Sequence, residues 1–179
     1  ITHENAQELL AAAGILQLNW IRDRCSEFIE RQLDSSNCLG IRSFADTYSC
    51  PALHKAAQLY SQQHYLEVSE SKEFVDLSVD EMITLVRSED LNVQSEEQVF
   101  ESVMKWVKHD VENRKKSLAD LLKHVRLPLL DRTYLVSIVG TEPLIKQIED
   151  CRDLVAEAKD YLLLPEQRST LSAPRTTPR

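Results

Sequence analysis

Glycine is almost missing from this sequence: Gly14, Gly40 and Gly140 are the only three in 179 residues. Folds built on tight β-turns draw on glycine wherever φ must be positive, so this small supply disfavours a β-rich fold and leaves helices. Basic charge is short as well. A formal net charge of −8 suits a chain poorly to a phosphate backbone, which needs clustered lysine and arginine, and no nucleic acid is expected as a partner. The short basic run Arg114-Lys115-Lys116 reads either as a solvated helix junction or as a contact for an acidic partner.

Long apolar runs are also lacking. Leu162-Leu163-Leu164 ends at once in Pro165, far short of the ~20 residues that cross a bilayer, so a soluble protein with no membrane partner is expected. The four cysteines, Cys25, Cys38, Cys50 and Cys151, form no Cys-x-x-Cys pair, and no signal peptide points to an oxidising compartment. Reduced thiols in a cytoplasmic protein are the expectation. His54, His64 and His109 stand at no metal-ligand spacing, and no Gly-x-Gly-x-x-Gly, Walker or Gly-x-Ser-x-Gly motif occurs. The sequence therefore predicts no metal, no cofactor and no catalytic residue. Cys25, close to Arg22 and Arg24, and Cys151, near a helix start, are the best thiol candidates. Cys25 falls on an apolar stripe and Cys151 beside Glu149, Asp150 and Asp153, so both read as packed thiols. Carboxylate pairs such as Asp80-Glu81 and Glu96-Glu97 sit at helix starts, where the dipole accounts for them without a substrate.

What is present is helical periodicity. With 42% hydrophobic and 28% charged residues the composition is that of an ordinary globular domain, and apolar positions recur at helical spacing in nearly every segment. About ten helices are expected. The first pair covers roughly 4–15 and 19–33. A second pair starts at Ser36 or Asn37 as N-cap, carries Ile41, Phe44, Ala45 and Tyr48, and resumes at Pro51, a residue suited to a first helical turn. Ser78-x-x-Glu81 and Ser95-x-x-Gln98 read as capping boxes, the second opening a long helix with Val99, Phe100, Val103, Trp106 and Val107 on a wide apolar face. Leu127-Pro128 ends the next helix, Asp131 caps another over 132–139, and a last one runs from about 149 to 163, stopped by Pro165. Short connections favour antiparallel neighbours, so the predicted fold is all-α: a stack of antiparallel helical hairpins, resembling an irregular solenoid, without a repeating sequence period. A start at Ile1 and a Pro174-Arg-Thr-Thr-Pro-Arg179 tail that cannot close a core suggest that the chain continued at both ends.

Several stretches then point to a family. Glu8-Leu-Leu-Ala-Ala12 and Leu16-Gln-Leu18 resemble the closing helices of a BTB domain, and Ser36-Asn-Cys-Leu-Gly-Ile-Arg-Ser-Phe-Ala-Asp46 resembles the 3-box that follows it in Kelch-like proteins. Leu91-Asn-Val-Gln-Ser-Glu-Glu-Gln-Val-Phe100 with Trp106, then His124-Val-Arg-Leu-Pro-Leu-Leu130, Tyr161-Leu-Leu-Leu-Pro165 and the tail, resemble a BACK domain and its exit, all in family order. The resemblance implies four parts: closing BTB helices in 1–35, a 3-box pair in 36–66, a BACK domain in 67–166, and a linker in 167–179 towards a Kelch propeller.

It also implies a function. Kelch-like adaptors bind the N-terminal region of cullin-3 through BTB, dimerise through BTB, and hold a protein substrate on the propeller, so this piece is expected to be a non-catalytic connector in a ubiquitin ligase. Cytoskeletal, actin-associated scaffolds share these helices and form the alternative, which widens the expected location to the cytoskeleton. The 3-box implies a groove for the cullin's N-terminal extension, with Leu39, Phe44, Tyr48 and Leu53 as its lining; the competing assignment is that these four only pack the two helices together. Without the rest of a BTB domain, Leu9, Leu10 and Leu16 are expected to be exposed.

Overall fold

A computed structural model describes residues 1–163 and 176–179, and the helical periodicity is realised along the first of these stretches. Among these residues there are thirteen α-helical segments, three short 3-10 turns and no β-strand. They form two compact units, Ile1–Asp76 and Leu77–Arg179.

In the first unit α1 (Ala6–Ile15) packs on α2 (Asn19–Glu30), and α3 (Cys38–Thr47) packs on α4 (Pro51–Gln63). Two short helices, α5 (Tyr65–Ser69) and α6 (Lys72–Val75), complete it. The core joins both hairpins through Leu10, Cys25, Ile29, Ile41, Ala45, Leu53 and Ala57. Although the sequence shows no repeat, the two hairpins are built on one backbone plan. Ahead of each, an asparagine carbonyl oxygen accepts a bond from the N–H three residues earlier: Thr2 N–H to Asn5 Oδ1 at 2.8 Å, and Asp34 N–H to Asn37 Oδ1 at 2.9 Å. Each first helix ends in a left-handed residue that is not glycine, Gln17 at φ 57° and Ser49 at φ 52°. Around them Gln17 and Leu18 donate to Gly14 and Ala13, and Ser49 and Cys50 to Asp46 and Ala45, which is the two-bond Schellman closure that satisfies the last carbonyls of a helix. Asn37 thus occupies the expected N-cap position, but its side chain bonds Asp34 N–H and the Gln32 carbonyl instead of the helix. The start of α3 is served from afar: Glu73 on α6 accepts the Gly40 N–H at 3.1 Å, an approach so close that a Cβ on Gly40 would lie 2.5 Å from that carboxylate.

The second unit surrounds α8 (Glu96–His109) with α7 (Val79–Val86), α9 (Val111–Arg114), α10 (Leu118–Leu122), α11 (Arg132–Ser137), α12 (Pro143–Gln147) and α13 (Glu149–Leu163). Val99, Phe100, Val103, Met104, Trp106 and Val107 of α8 are buried, as a wide apolar face requires. Trp106 is the anchor. Its indole N–H donates to the Leu77 carbonyl at 3.0 Å, and the Arg114 guanidinium lies 4.1 Å from the ring centroid while donating to the Trp106 carbonyl. Arg114 is therefore committed to α8 and Lys115 bonds Gln147, so two of the three basic residues are engaged within the unit, while Lys116 is exposed.

Some expected caps hold and others move. Ser78 and Glu81 make both bonds of a capping box, and Asp131 accepts from Thr133 and Tyr134. Ser95 makes no cap bond to α8. Its hydroxyl serves Glu97, while Gln98 takes the Gln94 N–H at 2.9 Å, one residue before the expected position. The helix ahead of Pro128 ends already at Leu122, with Pro128 in a 3-10 turn, and the helix over 132–139 stops at Ser137. A short helix opening on Pro143 was not foreseen. Pro165 lies outside the described residues.

Replacing Gln17 with glycine removes the cost of a left-handed L-residue, about 1–2 kcal/mol, against a smaller entropic loss in the unfolded chain; a net rise in the thermal midpoint is expected, measured by circular dichroism. Trp106→Phe leaves the Leu77 carbonyl buried without its donor, and the urea midpoint is expected to fall by the equivalent of about 1–3 kcal/mol at unchanged slope.

Candidate functional site

The α3–α4 hairpin of the first unit carries the residues that the resemblance marks. Leu53 is fully buried and Leu39 nearly so, whereas Phe44 and Tyr48 are half-buried on the rim of the core. Phe44 and Tyr48, one helical turn apart, bring their rings to 4.7 Å between centroids with an interplanar angle of 46°. The structure gathers Phe44, Tyr48 and Leu53 on one cluster and leaves Leu39 outside it. Only the two aromatic residues offer side-chain surface for a partner.

Two concavities of this unit lie at the turn from α3 to α4. One, of about 240 Å³, has Cys50, Pro51 and Ala52 on one side and Arg22, Asp23, Ser26, Glu27 and Glu30 of α2 on the other. A second, of about 400 Å³, lies across Cys50-Pro51, with Ala45, Asp46, Ser49 and His54 around it. None of the four expected lining residues borders either depression. The Schellman closure explains the geometry: a left-handed Ser49 turns the chain so abruptly that Cys50 and Pro51 form the ridge between two hollows. Asp23, Glu27, Glu30 and Asp46 give the rims an acidic bias, offset in part by Arg22. An extended segment with apolar and basic side chains suits such a surface. Sequence reading missed it because the hollows arise between helices, where periodicity carries no signal; Pro51 at a helix start was the only pointer.

A second exposed feature is apolar. Ile15, Leu16, Leu18 and Trp20 crowd the turn between α1 and α2, and Trp20 is 71% exposed. Leu9 and Leu16 are exposed as expected; Leu10 is instead fully buried, because the α1–α2 hairpin covers it with its own core.

The family follows from comparison with protein-family models: the BACK model, described as BTB And C-terminal Kelch, matches residues 38–140. The chain belongs to the BACK family. The match begins at Cys38, the first residue of α3, and covers more than half of the chain. The Kelch-like resemblance thus holds at the level of the family, and the all-helical fold is that of this BACK protein.

The thiols of the BACK protein sit in its interior. Cys25, Cys38, Cys50 and Cys151 are all buried and unpaired with one another. Burial raises the Cys25 thiol; burial, then Glu73, pushes Cys38 up to about 11, and burial, then Asp150, pushes Cys151 up to about 11. At neutral pH a thiol of that kind is ionised on the order of one part in ten thousand, which deprives it of nucleophilic character. Among the described residues no group of His, Cys, Asp or Glu is arranged to hold a metal ion, and no helix is long and apolar enough to cross a membrane.

In native buffer at neutral pH all four thiols are expected to react with an aromatic disulfide reagent far more slowly than in guanidinium, where all four are titrated; prompt labelling of Cys25 or Cys151 in the folded protein would revive a thiol-based activity.

Proposed function

We propose that this BACK protein is a non-catalytic connector of a cullin-3 ubiquitin ligase, joining a BTB domain that binds the cullin to a Kelch propeller that holds a protein substrate. In this reading residues 1–35 are the closing helices of BTB, 36–66 the 3-box, 67–166 the BACK domain and 167–179 the linker. Membership of the family supports it. So does the exposed apolar turn at Ile15–Trp20, a surface of the kind that the remainder of a BTB domain covers. Dimerisation then belongs to that remainder, and the protein acts in the cytoplasm.

The observation that carries the reading is the double hollow at Cys50-Pro51, on the same hairpin as the half-buried Phe44 and Tyr48, which line neither hollow. We assign it to the N-terminal extension of cullin-3, with Phe44 and Tyr48 as contact residues and Leu39 and Leu53 as buried supports. The acidic rim on α2 favours a basic segment, so part of the affinity is screened by salt.

Calorimetric titration of the cullin-3 N-terminal region, with its extension, into the intact BTB-plus-BACK protein tests this. Ser26→Arg fills the hollow without touching the core, and Phe44→Ala, Tyr48→Ala removes the two half-buried rings of α3; each is expected to weaken binding about tenfold or more while the thermal transition persists. If the intact protein does not bind cullin-3 at all, the actin-associated scaffold reading replaces this one.

A further inference from the structure

The groups that converge on Arg179 in the second unit are acceptors drawn from three separate parts of the chain. Its Nη2 and Nε meet the two carboxylate oxygens of Glu96 at 3.0 and 3.2 Å, a forked pair. Nη2 also donates to the His124 carbonyl at 3.0 Å, and Nη1 donates to the Ser88 carbonyl. The pair is deeply buried, with side-chain exposures of 2% for Arg179 and 5% for Glu96. Ser88 follows α7, Glu96 opens α8 and His124 follows α10. Nothing in helix packing requires those three to meet; a guanidinium does.

We propose that Ser88, Glu96 and His124 form an arginine-specific socket whose ligand is the chain's own Thr176-Thr177-Pro178-Arg179 segment, which enters through a turn at Thr176-Thr177. The socket is held ready by the unit itself, since the Arg126 N–H donates to Glu96 Oε1 at 2.8 Å and fixes the carboxylate before any ligand arrives. A carboxylate and two carbonyls facing one another underground repel without a cation between them, and a planar fork reaches all of them where a lysine ammonium, a point charge, does not.

Recognition extends along the peptide. The Arg126 side chain donates to the Thr177 carbonyl, and the exposed Pro178 borders a hollow of about 290 Å³ together with Val93, Gln94, Ser95 and Leu129. The fixed φ of proline restricts the chain just ahead of Arg179, so less order is lost on binding. In the adaptor reading the clamp fixes the point on the second unit from which the chain goes on towards the propeller. That consequence rests on the adaptor reading, whereas the socket does not.

The test uses the full 179-residue chain and needs no cullin, so its failure is separate from failure of the ligase reading. In the wild-type protein the Arg179 Nε–H resonance, identified by its loss in Arg179→Lys, is expected to exchange slowly with water and to persist in about 0.5 M salt, because a buried pair is little screened. Exchange as fast as that of exposed arginines overturns the socket. The Arg179→Ala chain, which leaves every helix unaltered, is then titrated with the peptide acetyl-Ala-Pro-Arg-Thr-Thr-Pro-Arg-amide. The amides of Glu96, Arg126 and Leu129 are expected to move towards their wild-type positions, with binding about tenfold or more stronger than to the wild-type chain, whose socket is filled. Lysine at the last peptide position is expected to weaken binding about tenfold or more. No movement of those amides, or equal binding of the lysine peptide, overturns the claim that the segment is an arginine-read ligand.

Discussion

A chain divided into many short helices must find partners for the backbone groups that each helix end leaves without an intrahelical bond, and this constraint organises both units. The first unit answers it mostly locally, with the Glu73 bond to the Gly40 N–H as a distant exception. Asn5 and Asn37 hold the turns before the hairpins, and left-handed Gln17 and Ser49 close the helices that follow. The second unit answers it over long distances. Glu96 accepts the Arg126 N–H, Glu97 accepts the Asp131 N–H at 2.7 Å, and Glu101 accepts the Tyr134 hydroxyl at 3.0 Å. Glu96 and Glu97 thus take the Arg126 and Asp131 N–H groups that the turns between α10 and α11 leave over, and Glu101 holds α11 itself through Tyr134.

The same constraint makes the candidate surface. A helix closed by a left-handed serine reverses within a few residues, and Cys50-Pro51 is left standing between two hollows instead of lying in a filled groove. Phe44 and Tyr48 remain half-buried because α3 is the outer member of its hairpin, while Leu53, on α4, faces the shared core. This hairpin thus presents a proline ridge with an acidic rim, and elsewhere on α3 two half-buried aromatic rings.

Chemistry by side chains has little foothold by comparison. The four thiols fill core positions, burial favours the neutral form of Cys25, Cys38 and Cys151, and Glu81, Glu96 and Glu97, which stood out as possible acids or bases, are engaged as acceptors of backbone and side-chain donors. Membership of the BACK family agrees with a protein that works through its surfaces.

Helical class, the first two hairpins, the Ser78 capping box and the Asp131 cap were legible because each depends on residues within a few positions of one another, where apolar spacing and short-range bonding operate. The role of Glu96 and Glu97 was not: a carboxylate at a helix start is accounted for by the dipole, and nothing near it in sequence announces a partner thirty or eighty positions away. The matching plan of the two hairpins was hidden for a related reason, since it is carried by backbone bonds and backbone angles that unlike side chains can share. What the sequence by itself determined is which stretches coil and which face of each is apolar, along with the family. Which of those apolar residues end up covered, where hollows open between helices, and which distant acceptors gather around Arg179 were decided only by packing, because burial and long-range hydrogen bonding depend on what the rest of the chain brings alongside.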